Sequence, residues 1–498
     1  MSSHIYIGLD LGSTSLKIAA FEGSSGSVLA QAGSSIPWQR ASTGACQVPG
    51  KLLRHLVVDL LAQVGKQLGE RSSRVAAIAC VGHGGGLYVV DSEGALLDDF
   101  AVSSTDQRAT RIANTLAQRE AHRLFRTVGC GPWSGQPAMI AADIFRMNHG
   151  AFKHASTLFF AKDFVSMVLS GESATDYSDA STAGLLDSTT RRPSPLAFEV
   201  ANIPAWGPDR LARLLDTGSL LGQLLPDLAA QTGLPPSTPI AMGAIDLFGA
   251  MTGVGATQAG DAAAVLGTWC VNAAIGPNDG AALPTLPDPG AGISNVVLLD
   301  SARSVMYMNN SAAAMANTTW LASAVQQSTT DLLDAAFSSA PGANGLRYIP
   351  YINGGGDASA GFLGLRAFHT PADMARAVIE GVIALHAKSL NALAAKGLPR
   401  HRLFVLGGGA GDERLSALLA SMLSSTVYTP GADESGARGA AMFAASAVGH
   451  ASTSLQAPVK KIEPIAGLCS FYGNYLSSFE ALVDDMAPIF ARLNRPLQ

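Results

Sequence analysis

Two strand–turn–strand segments, about half a chain apart, constrain the fold of this 498-residue sequence more than any other feature. The first runs from His4 to Phe21 and turns at Gly12-Ser13-Thr14. The second runs from Ala262 to Ile275 and turns at Gly267-Thr268. In each, apolar runs flank a turn of glycine and hydroxyl side chains. Because mixed strands and helices follow both, the sequence predicts a duplicated α/β architecture, with two domains around a central cleft.

Turn-forming residues occur at 233–239, and the main boundary of the chain is expected shortly after them, near 245–255. We expect three parts: an N-terminal domain over 1–250, a C-terminal domain over 251–450, and a C-terminal helical extension, packed on the fold, over 451–498. Apolar residues at helical spacing predict helices at 51–69, 311–327, 371–397, 412–425 and 473–493.

Composition excludes several classes of function. Charged residues make up only 14% of the chain, and the net charge of −5 comes from scattered groups, so no basic face for nucleic acid is expected. No apolar run approaches the roughly 20 residues that span a bilayer, and Asp10 interrupts the first apolar stretch, so neither a membrane span nor a signal peptide is predicted. The five cysteines are widely separated, which indicates reduced thiols and a cytoplasmic protein.

The glycine-rich turns are candidate phosphate cradles. Glycine lets the backbone approach a phosphate, and successive N–H groups in a tight turn form an anion-binding concavity. Asp10, at the end of the first strand, could hold Mg²⁺ directly or through water. The alternative is an ordinary hairpin turn whose aspartate and serine satisfy their own backbone.

A third glycine-rich segment, Leu406-Gly407-Gly408-Gly409-Ala410, follows a predicted strand. Its flat backbone could support a nucleoside, or it could be only a tight strand-to-helix turn. No Walker phosphate loop is present, but three such segments on a duplicated α/β chain favour nucleotide binding.

Asp246 also follows a predicted strand directly, in Met242-Gly243-Ala244-Ile245-Asp246. Phosphoryl transfer to an alcohol needs a carboxylate that orients the hydroxyl and accepts its proton. An aspartate that caps the following helix is the alternative, and both roles can hold together.

Separated motifs carry a family resemblance. Residues 360–365 read AGFLGL and precede Asp373-Met374 and the run AVIE at 377–380; residues 169–181 contain LSG and TDYSDAS; residues 434–441 read ESGARGAA. They resemble the C-terminal signature, the N-domain run and a late helix start of the FGGY carbohydrate kinases. That family lies within the actin-like, ribonuclease-H-like ATPase superfamily, and the resemblance covers about residue 5 to at least 450.

The resemblance implies ATP and Mg²⁺ as cofactors and Asp246 as catalytic base. It implies that Asp10 lies near the metal and Lys17 near the γ-phosphate. The other ATP contacts that the resemblance implies are to the phosphates and the adenosine. They fall on Ser13, Thr14, Ser15, Gly267, Thr268, Gly408, Gly409 and Asp412.

The segment that contacts the substrate in the family corresponds to His83-Gly84-Gly85 in this sequence. Family members often have Gln-Met-His or Gln-Arg-Glu at these positions. The missing Arg-Glu pair argues against glycerol, and the two glycines are expected to leave room for the substrate. Asp106 could bind sugar hydroxyls, or it could pair with Arg108. Trp133 could stack on a sugar or pack within its loop. His83 could bond a substrate hydroxyl or only hold the loop.

These features together predict an ATP-dependent carbohydrate kinase acting on the terminal hydroxyl of an open-chain sugar or polyol. Xylulose is the first choice, because pentulose kinases are frequent in the family that the chain resembles, and erythritol, L-xylulose and 3-keto-L-gulonate are alternatives from the branch it resembles most. An actin- or chaperone-like ATPase and a non-catalytic sugar-sensing protein are the alternatives of other classes. The sequence is compatible with a homodimer and does not decide the oligomeric state.

Overall fold

The computed structural model describes residues 4–203, 208–277, 292–311, 313–353, 358–430 and 434–493. These fall into two compact units. The first contains the chain up to Thr257 together with Gly276–Met306 and Glu434–Ala457. The second contains Gln258–Ile275 and the described parts of 307–433 and 458–498.

Up to Thr257, the chain forms five strands before its first helix, and its helices range from 5 to 19 residues in length. The strands are β1 (Ile5–Leu11), β2 (Ser15–Glu22), β3 (Val28–Ser35), β4 (Gln39–Arg40), β5 (Cys46–Pro49), β6 (Val75–Gly82), β7 (Tyr88–Val90), β8 (Phe100–Val102), β9 (Thr157–Phe159), β10 (Ala174–Asp176), β11 (Arg213–Leu215), β12 (Leu220–Gln223) and β13 (Pro239–Ala241). The helices are α1 (Gly50–Leu68), α2 (Thr110–Val128), α3 (Pro137–Met147), α4 (Ala161–Ser170), α5 (Tyr177–Thr182), α6 (Leu196–Val200), α7 (Pro226–Thr232) and α8 (Asp246–Gly253).

Beyond Thr257 the helices range from 9 to 25 residues in length. The strands are β14 (Asp261–Leu266), β15 (Cys270–Ile275), β16 (Asn295–Leu298), β17 (Val305–Ser311), β18 (Arg347–Ile349), β19 (Gly361–Leu363), β20 (Arg402–Leu406), β21 (Val427–Thr429) and β22 (Lys460–Ile462). The helices are α9 (Ala316–Ala324), α10 (Thr329–Ser338), α11 (Pro371–Ala395), α12 (Glu413–Leu423), α13 (Ser435–Ala447) and α14 (Cys469–Leu493).

The main sheets of the two units share one topology. In the first unit the order is β12-β13-β6-β1-β2-β3, and β1, β6 and β13 are parallel while β2, β3 and β12 run antiparallel to their neighbours. The other main sheet has seven strands in the order β22-β21-β20-β14-β15-β17-β16, and its first six repeat the order above, with β14 parallel to β20 and antiparallel to β15. The predicted duplicated α/β fold is therefore confirmed.

Helix α13 packs against β1, β6 and α8 of the first unit through residues that have no side chain. A Cβ at Gly8 would overlap the carbonyl oxygen of Ala437, and one at Gly439 would overlap that of Gly249. This close approach explains the small residues of the ESGARGAA motif.

The observed units differ from the predicted domains for this reason. Residues 434–457 and 276–306, assigned from sequence beyond the 250 boundary, cluster with the first unit because α13 and β16 pack on its elements. Helix α14, in the predicted C-terminal extension, packs on α11 and α12 of the second unit.

Helix α11 is long and apolar enough to cross a membrane by length and composition, which the sequence analysis did not anticipate. Of its most apolar window, 78% is buried inside the protein. It also carries a buried ion pair, with the Nε of Arg376 2.8 Å from a carboxylate oxygen of Glu380. Such burial is typical of a core helix.

We predict that Gly439→Ala destabilises the first unit by about 1–3 kcal/mol, because the new methyl group overlaps a backbone carbonyl that cannot move independently. Urea unfolding followed by circular dichroism measures the loss. The matched control is Gly473→Ala within α14, where a Cβ would meet nothing within 4 Å. Its expected change is a gain of roughly 0.5–1 kcal/mol. Equal midpoints for the two variants would contradict the close-packing account.

Candidate active site

The carboxyl ends of three parallel strands meet at one edge of the first unit's sheet. Asp10 and Leu11 end β1, Gly82 ends β6, and Asp246 begins α8 a few residues after β13. The backbone ties these ends together, since the N–H of His83 donates to the carbonyl of Leu11 at 2.9 Å and Gly82 bridges to Ile245. Carboxyl edges of such sheets are where α/β proteins place their ligands.

The turn after β1 is held by its carbonyl groups. The indole Nε1 of Trp38 donates to the carbonyl of Ser13 at 2.8 Å, and the N–H of Ile36 donates to that of Thr14 at 3.0 Å. Within the described residues, the N–H groups of Ser13 and Thr14 make no hydrogen bond. The turn therefore presents donors, as a phosphate cradle requires.

Lys17 lies beside this turn and opposite Asp10 in the β1–β2 register. Its Nζ is 2.9 Å from a carboxylate oxygen of Glu434, and the two side chains are 48% and 31% exposed. An exposed pair of this kind is weakly held, so the ammonium group can exchange Glu434 for a phosphate.

Asp10 and Asp246 form an electrostatically linked pair. Burial, followed by the negative charge of Asp246, raises the pKa of Asp10 to about 7, while Lys17 lowers it. Burial raises the pKa of Asp246 to about 6, against the opposing hydrogen bond from the N–H of Leu247. That bond joins Leu247 to Oδ1 of Asp246 at 2.7 Å, and within the described residues Oδ2 accepts none. Asp246 thus supports its helix with one oxygen and keeps the other open.

His83 is buried at the same edge. Its Nε2 lies 3.3 Å from the hydroxyl of Tyr88, its ring is edge-on to Trp38 at 6.3 Å, and its Nδ1 has no hydrogen-bond partner in the described structure. Burial lowers the pKa of His83 to about 4, so the imidazole is neutral near pH 7. A neutral imidazole with one unused nitrogen can bond a hydroxyl group.

The expectation that Gly84 and Gly85 leave room is wrong. A Cβ at Gly84 would lie 2.6 Å from Cδ1 of Ile245, and one at Gly85 would lie 2.5 Å from Cη2 of Trp133. The space is already filled, because these glycines allow an isoleucine and an indole to approach the backbone. Trp133 therefore packs against Gly85 but is only half-buried, and its predicted contact with a sugar stays a prediction.

Asp106 pairs with Arg108, as one of its two predicted alternatives required. Its fully buried carboxylate accepts hydrogen bonds from the Arg108 side chain at 2.9 and 3.0 Å and from the Cys46 N–H at 2.7 Å. The structure does not bring Asp106 to the sheet edge as a free group.

The second unit presents a turn in the corresponding place, between β14 and β15. The carbonyl of Gly267 accepts the N–H of Met315 at 3.0 Å, and Thr268 and Trp269 are exposed. The turn in the first unit has the same arrangement: its carbonyl groups accept hydrogen bonds from other segments, and the residues at its tip are accessible to solvent.

The glycine segment after β20 forms a short turn before α12. A Cβ at Gly408 would meet nothing within 4 Å, so its surface is open, whereas one at Gly409 would lie 2.7 Å from Cβ of Leu266. Asp412 caps α12, and its carboxylate accepts bonds from the Arg414 guanidinium at 2.6–3.1 Å. The Asp412 carboxylate, predicted from sequence to lie at the adenosine, is therefore already bonded to Arg414.

Sequence reasoning missed Trp38, Lys162 and Ser178. Ser178 lies in the TDYSDAS run, whose resemblance to the family indicates membership but not the role of each serine. Lys162 stands out in hindsight as a lysine in an apolar stretch, followed at once by Asp163. Trp38 gave no local signal, because its contact with Ser13 crosses 25 residues.

Comparison with known proteins adds a family match over most of the chain. Residues 5–253 match the N-terminal domain of the FGGY family of carbohydrate kinases, and residues 262–448 match its C-terminal domain. The resemblance carried by the sequence motifs is confirmed.

Individual relatives are distant but nearly full length. An erythritol kinase from Brucella abortus strain 2308 is 28% identical over 490 residues, covering 93% of this chain and 91% of its own. An L-xylulose/3-keto-L-gulonate kinase from Escherichia coli strain K12 is 23% identical over 438 residues, covering 85% of this chain and 86% of its own. A ligand-bound xylulose kinase structure from Lactobacillus acidophilus has a TM-score of 0.87 at 20% identity, covering 99% and 100%. The structural likeness shows the shared fold.

We predict that Asp246→Asn lowers the pKa of Asp10 from about 7, because the substitution removes a neighbouring negative charge. Carbon-13 NMR of aspartate carboxyl groups follows the titration directly. Asp59→Asn, an exposed site on α1, is the control and should leave Asp10 unchanged. An Asp10 titration that is identical in wild type and Asp246→Asn would show that the two carboxyl groups do not interact.

Proposed function

Because the chain belongs to the FGGY family of carbohydrate kinases, we propose that it transfers the terminal phosphoryl group of ATP to the terminal hydroxyl of an open-chain sugar or polyol. One observation carries the proposal. At a single sheet edge, a carboxylate with an open oxygen, Asp246, lies with Asp10 and with the unpaired N–H groups of the Ser13–Thr14 turn.

Asp246 is the group that accepts the proton of the attacking hydroxyl. As the sugar oxygen bonds to the γ-phosphorus, the bond from phosphorus to the β–γ bridging oxygen breaks, ADP leaves, and the hydroxyl proton passes to Oδ2. A pKa of about 6 leaves Asp246 ionised at neutral pH while keeping it more basic than an ordinary aspartate.

The phosphates are assigned to donors of each unit's hairpin turn. In the first unit the donors are the backbone and hydroxyl groups of Ser13, Thr14 and Ser15, together with the ammonium group of Lys17. In the second unit, Gly267 and Thr268 supply the corresponding turn. The open backbone at Gly408, together with the neighbouring Gly409, which packs on Leu266, is assigned to the adenosine, and Asp412 supports it by capping α12 rather than by direct contact.

Mg²⁺ fits at Asp10. Burial and a second carboxylate make ionisation of Asp10 unfavourable, and a divalent cation offsets that cost. The ion ordinarily takes one or two carboxylates plus water and phosphate oxygens, and Asp10 is the carboxylate assigned to it. When bound, it neutralises charge on the transferring phosphates.

The substrate wall is assigned to His83, Gly84, Gly85 and Trp133. It combines one unused imidazole nitrogen with an indole and the Ile245 side chain, and it lacks a charged pair that would grip a small triol. Xylulose is the first substrate to test, followed by erythritol, L-xylulose and 3-keto-L-gulonate, for which the relatives are named.

The test is ADP release in the presence of each of these compounds, with D-ribulose and glycerol included. The proposal requires that one open-chain compound stimulates turnover well above the background hydrolysis of ATP. Hydrolysis that no sugar changes would indicate an ATPase of the actin or chaperone type. Sugar binding without turnover would indicate a sensor.

We predict that Asp246→Asn lowers kcat by roughly 10²–10⁴ and leaves sugar affinity within about tenfold, since the amide still bonds a hydroxyl but cannot take its proton. In the wild type, kcat should rise as pH increases through about 6, where Asp246 loses its proton, and the variant should lack this limb. Asp59→Asn serves as the control and should match wild type. Unchanged turnover in Asp246→Asn would remove the base assignment.

A further inference from the structure

The backbone segment that carries Asp246 is anchored by a buried hydroxyl on a different helix. The N–H of Ile245, the residue before Asp246, donates to Oγ of Ser178 on α5 at 2.9 Å. Ser178 is fully buried, so no water competes for this bond. The side chain of Ile245 in turn abuts Gly84 of the substrate wall.

The direction of this hydrogen bond is fixed by Asp176. The hydroxyl of Ser178 donates to Oδ2 of Asp176 at 2.5 Å, so its remaining lone pairs face the N–H of Ile245. The backbone N–H of Ser178 donates to the same oxygen at 2.9 Å, and Asp176 caps α5. Ser178 is therefore locked in one rotamer by a charged partner.

Behind Asp176 lies a lysine whose charge is buried completely. Nζ of Lys162 is 3.0 Å from Oδ1 of Asp176, 2.5 Å from Asp163 and 3.0 Å from Asp179, and all four side chains are inaccessible. Burial lowers the pKa of Lys162, but the three carboxylates outweigh it and raise it well above its usual value. The lysine stays charged and fixes Asp176.

The same lysine supports the neighbouring strand end. A Cβ at Gly82 would lie 2.9 Å from the backbone nitrogen of Lys162, so β6 rests directly on α4 where Gly82 bridges to Ile245. One buried cluster thus lies under the segments that hold His83 and Asp246.

We propose that Ser178, fixed by Asp176 and Lys162, is the positioning residue for Asp246, holding the carboxylate against the acceptor hydroxyl during phosphoryl transfer. This role rests on the proposed kinase function. A displacement of about 1 Å at a reacting group can cost on the order of 100-fold in rate, so loss of the Ile245 anchor acts on turnover rather than on substrate binding.

The chain contains a matched control in the same helix. Oγ of Ser181 also accepts a backbone N–H at 2.9 Å, from Leu298 on β16, and donates to the carbonyl of Tyr177 at 2.6 Å. Ser178→Ala and Ser181→Ala therefore each remove one buried hydroxyl and strand one backbone N–H. The two variants differ in the backbone segment that loses its hydrogen bond: the segment at Ile245 in Ser178→Ala and the segment at Leu298 in Ser181→Ala.

The experiment compares steady-state kinetics, thermal midpoints and amide hydrogen exchange for wild type and both variants. We expect Ser178→Ala to lower kcat by about 10- to 100-fold with KM within about threefold, and to speed exchange at residues 244–247. Ser181→Ala should lose a similar amount of thermal stability while its kcat stays within about twofold of wild type. Ser178→Thr, which keeps the hydroxyl, should recover most of the lost turnover.

Equal kcat losses in Ser178→Ala and Ser181→Ala, or unchanged kcat in Ser178→Ala, would overturn the positioning role. The exchange measurement separates this from failure of the kinase function. If the wild type phosphorylates no sugar while Ser178→Ala still speeds exchange at 244–247, the kinase function fails and the anchor stands. If amide exchange at residues 244–247 is the same in Ser178→Ala and wild type, Ser178 does not hold this segment, and the positioning role is rejected at any level of kinase activity.

Discussion

The parallel alignment of β1, β6 and β13 is the constraint on which the first unit's site depends. It brings Asp10, His83 and Asp246 to one edge, although 236 positions separate the first from the last in sequence. The alignment is supported from one side by α13, whose backbone touches β1 because Gly8 of that strand has no side chain. Close backbone packing of this kind leaves the strand ends little freedom, which suits chemistry that depends on positioning.

The first unit contains two groups of charged side chains, one fully buried around Lys162 and one at the sheet edge with Asp10 and Asp246, and the two groups have different roles. The Lys162 cluster is sealed from water, where separating its members would leave an uncompensated buried charge. Asp10 and Asp246 keep some exposure at the sheet edge, and burial raises the pKa of each. The sealed cluster fixes geometry, and the accessible pair is left free to interact with substrate and metal.

The sequence predicted the duplicated architecture and the position of Asp246, because both depend on local patterns: strand–turn–strand segments and a carboxylate directly after a strand. It could not decide which carboxylates were already in use. Asp106 is held by Arg108 and Cys46, and Asp412 by Arg414, through contacts that appear only when distant segments fold together. The space over Gly84 and Gly85 was misjudged for the same reason, since Ile245 and Trp133 approach from other parts of the chain.

The central claim is that Asp246 faces the acceptor hydroxyl of a sugar in a kinase active site. A crystal structure of the protein with a non-hydrolysable ATP analogue, Mg²⁺ and the sugar identified by ADP release tests it most directly. The account predicts a carboxylate oxygen of Asp246 about 2.6–3.2 Å from the terminal hydroxyl, with that hydroxyl facing the γ-phosphate. A sugar whose terminal hydroxyl is bonded by another residue, with Asp246 turned away from it, would contradict the account.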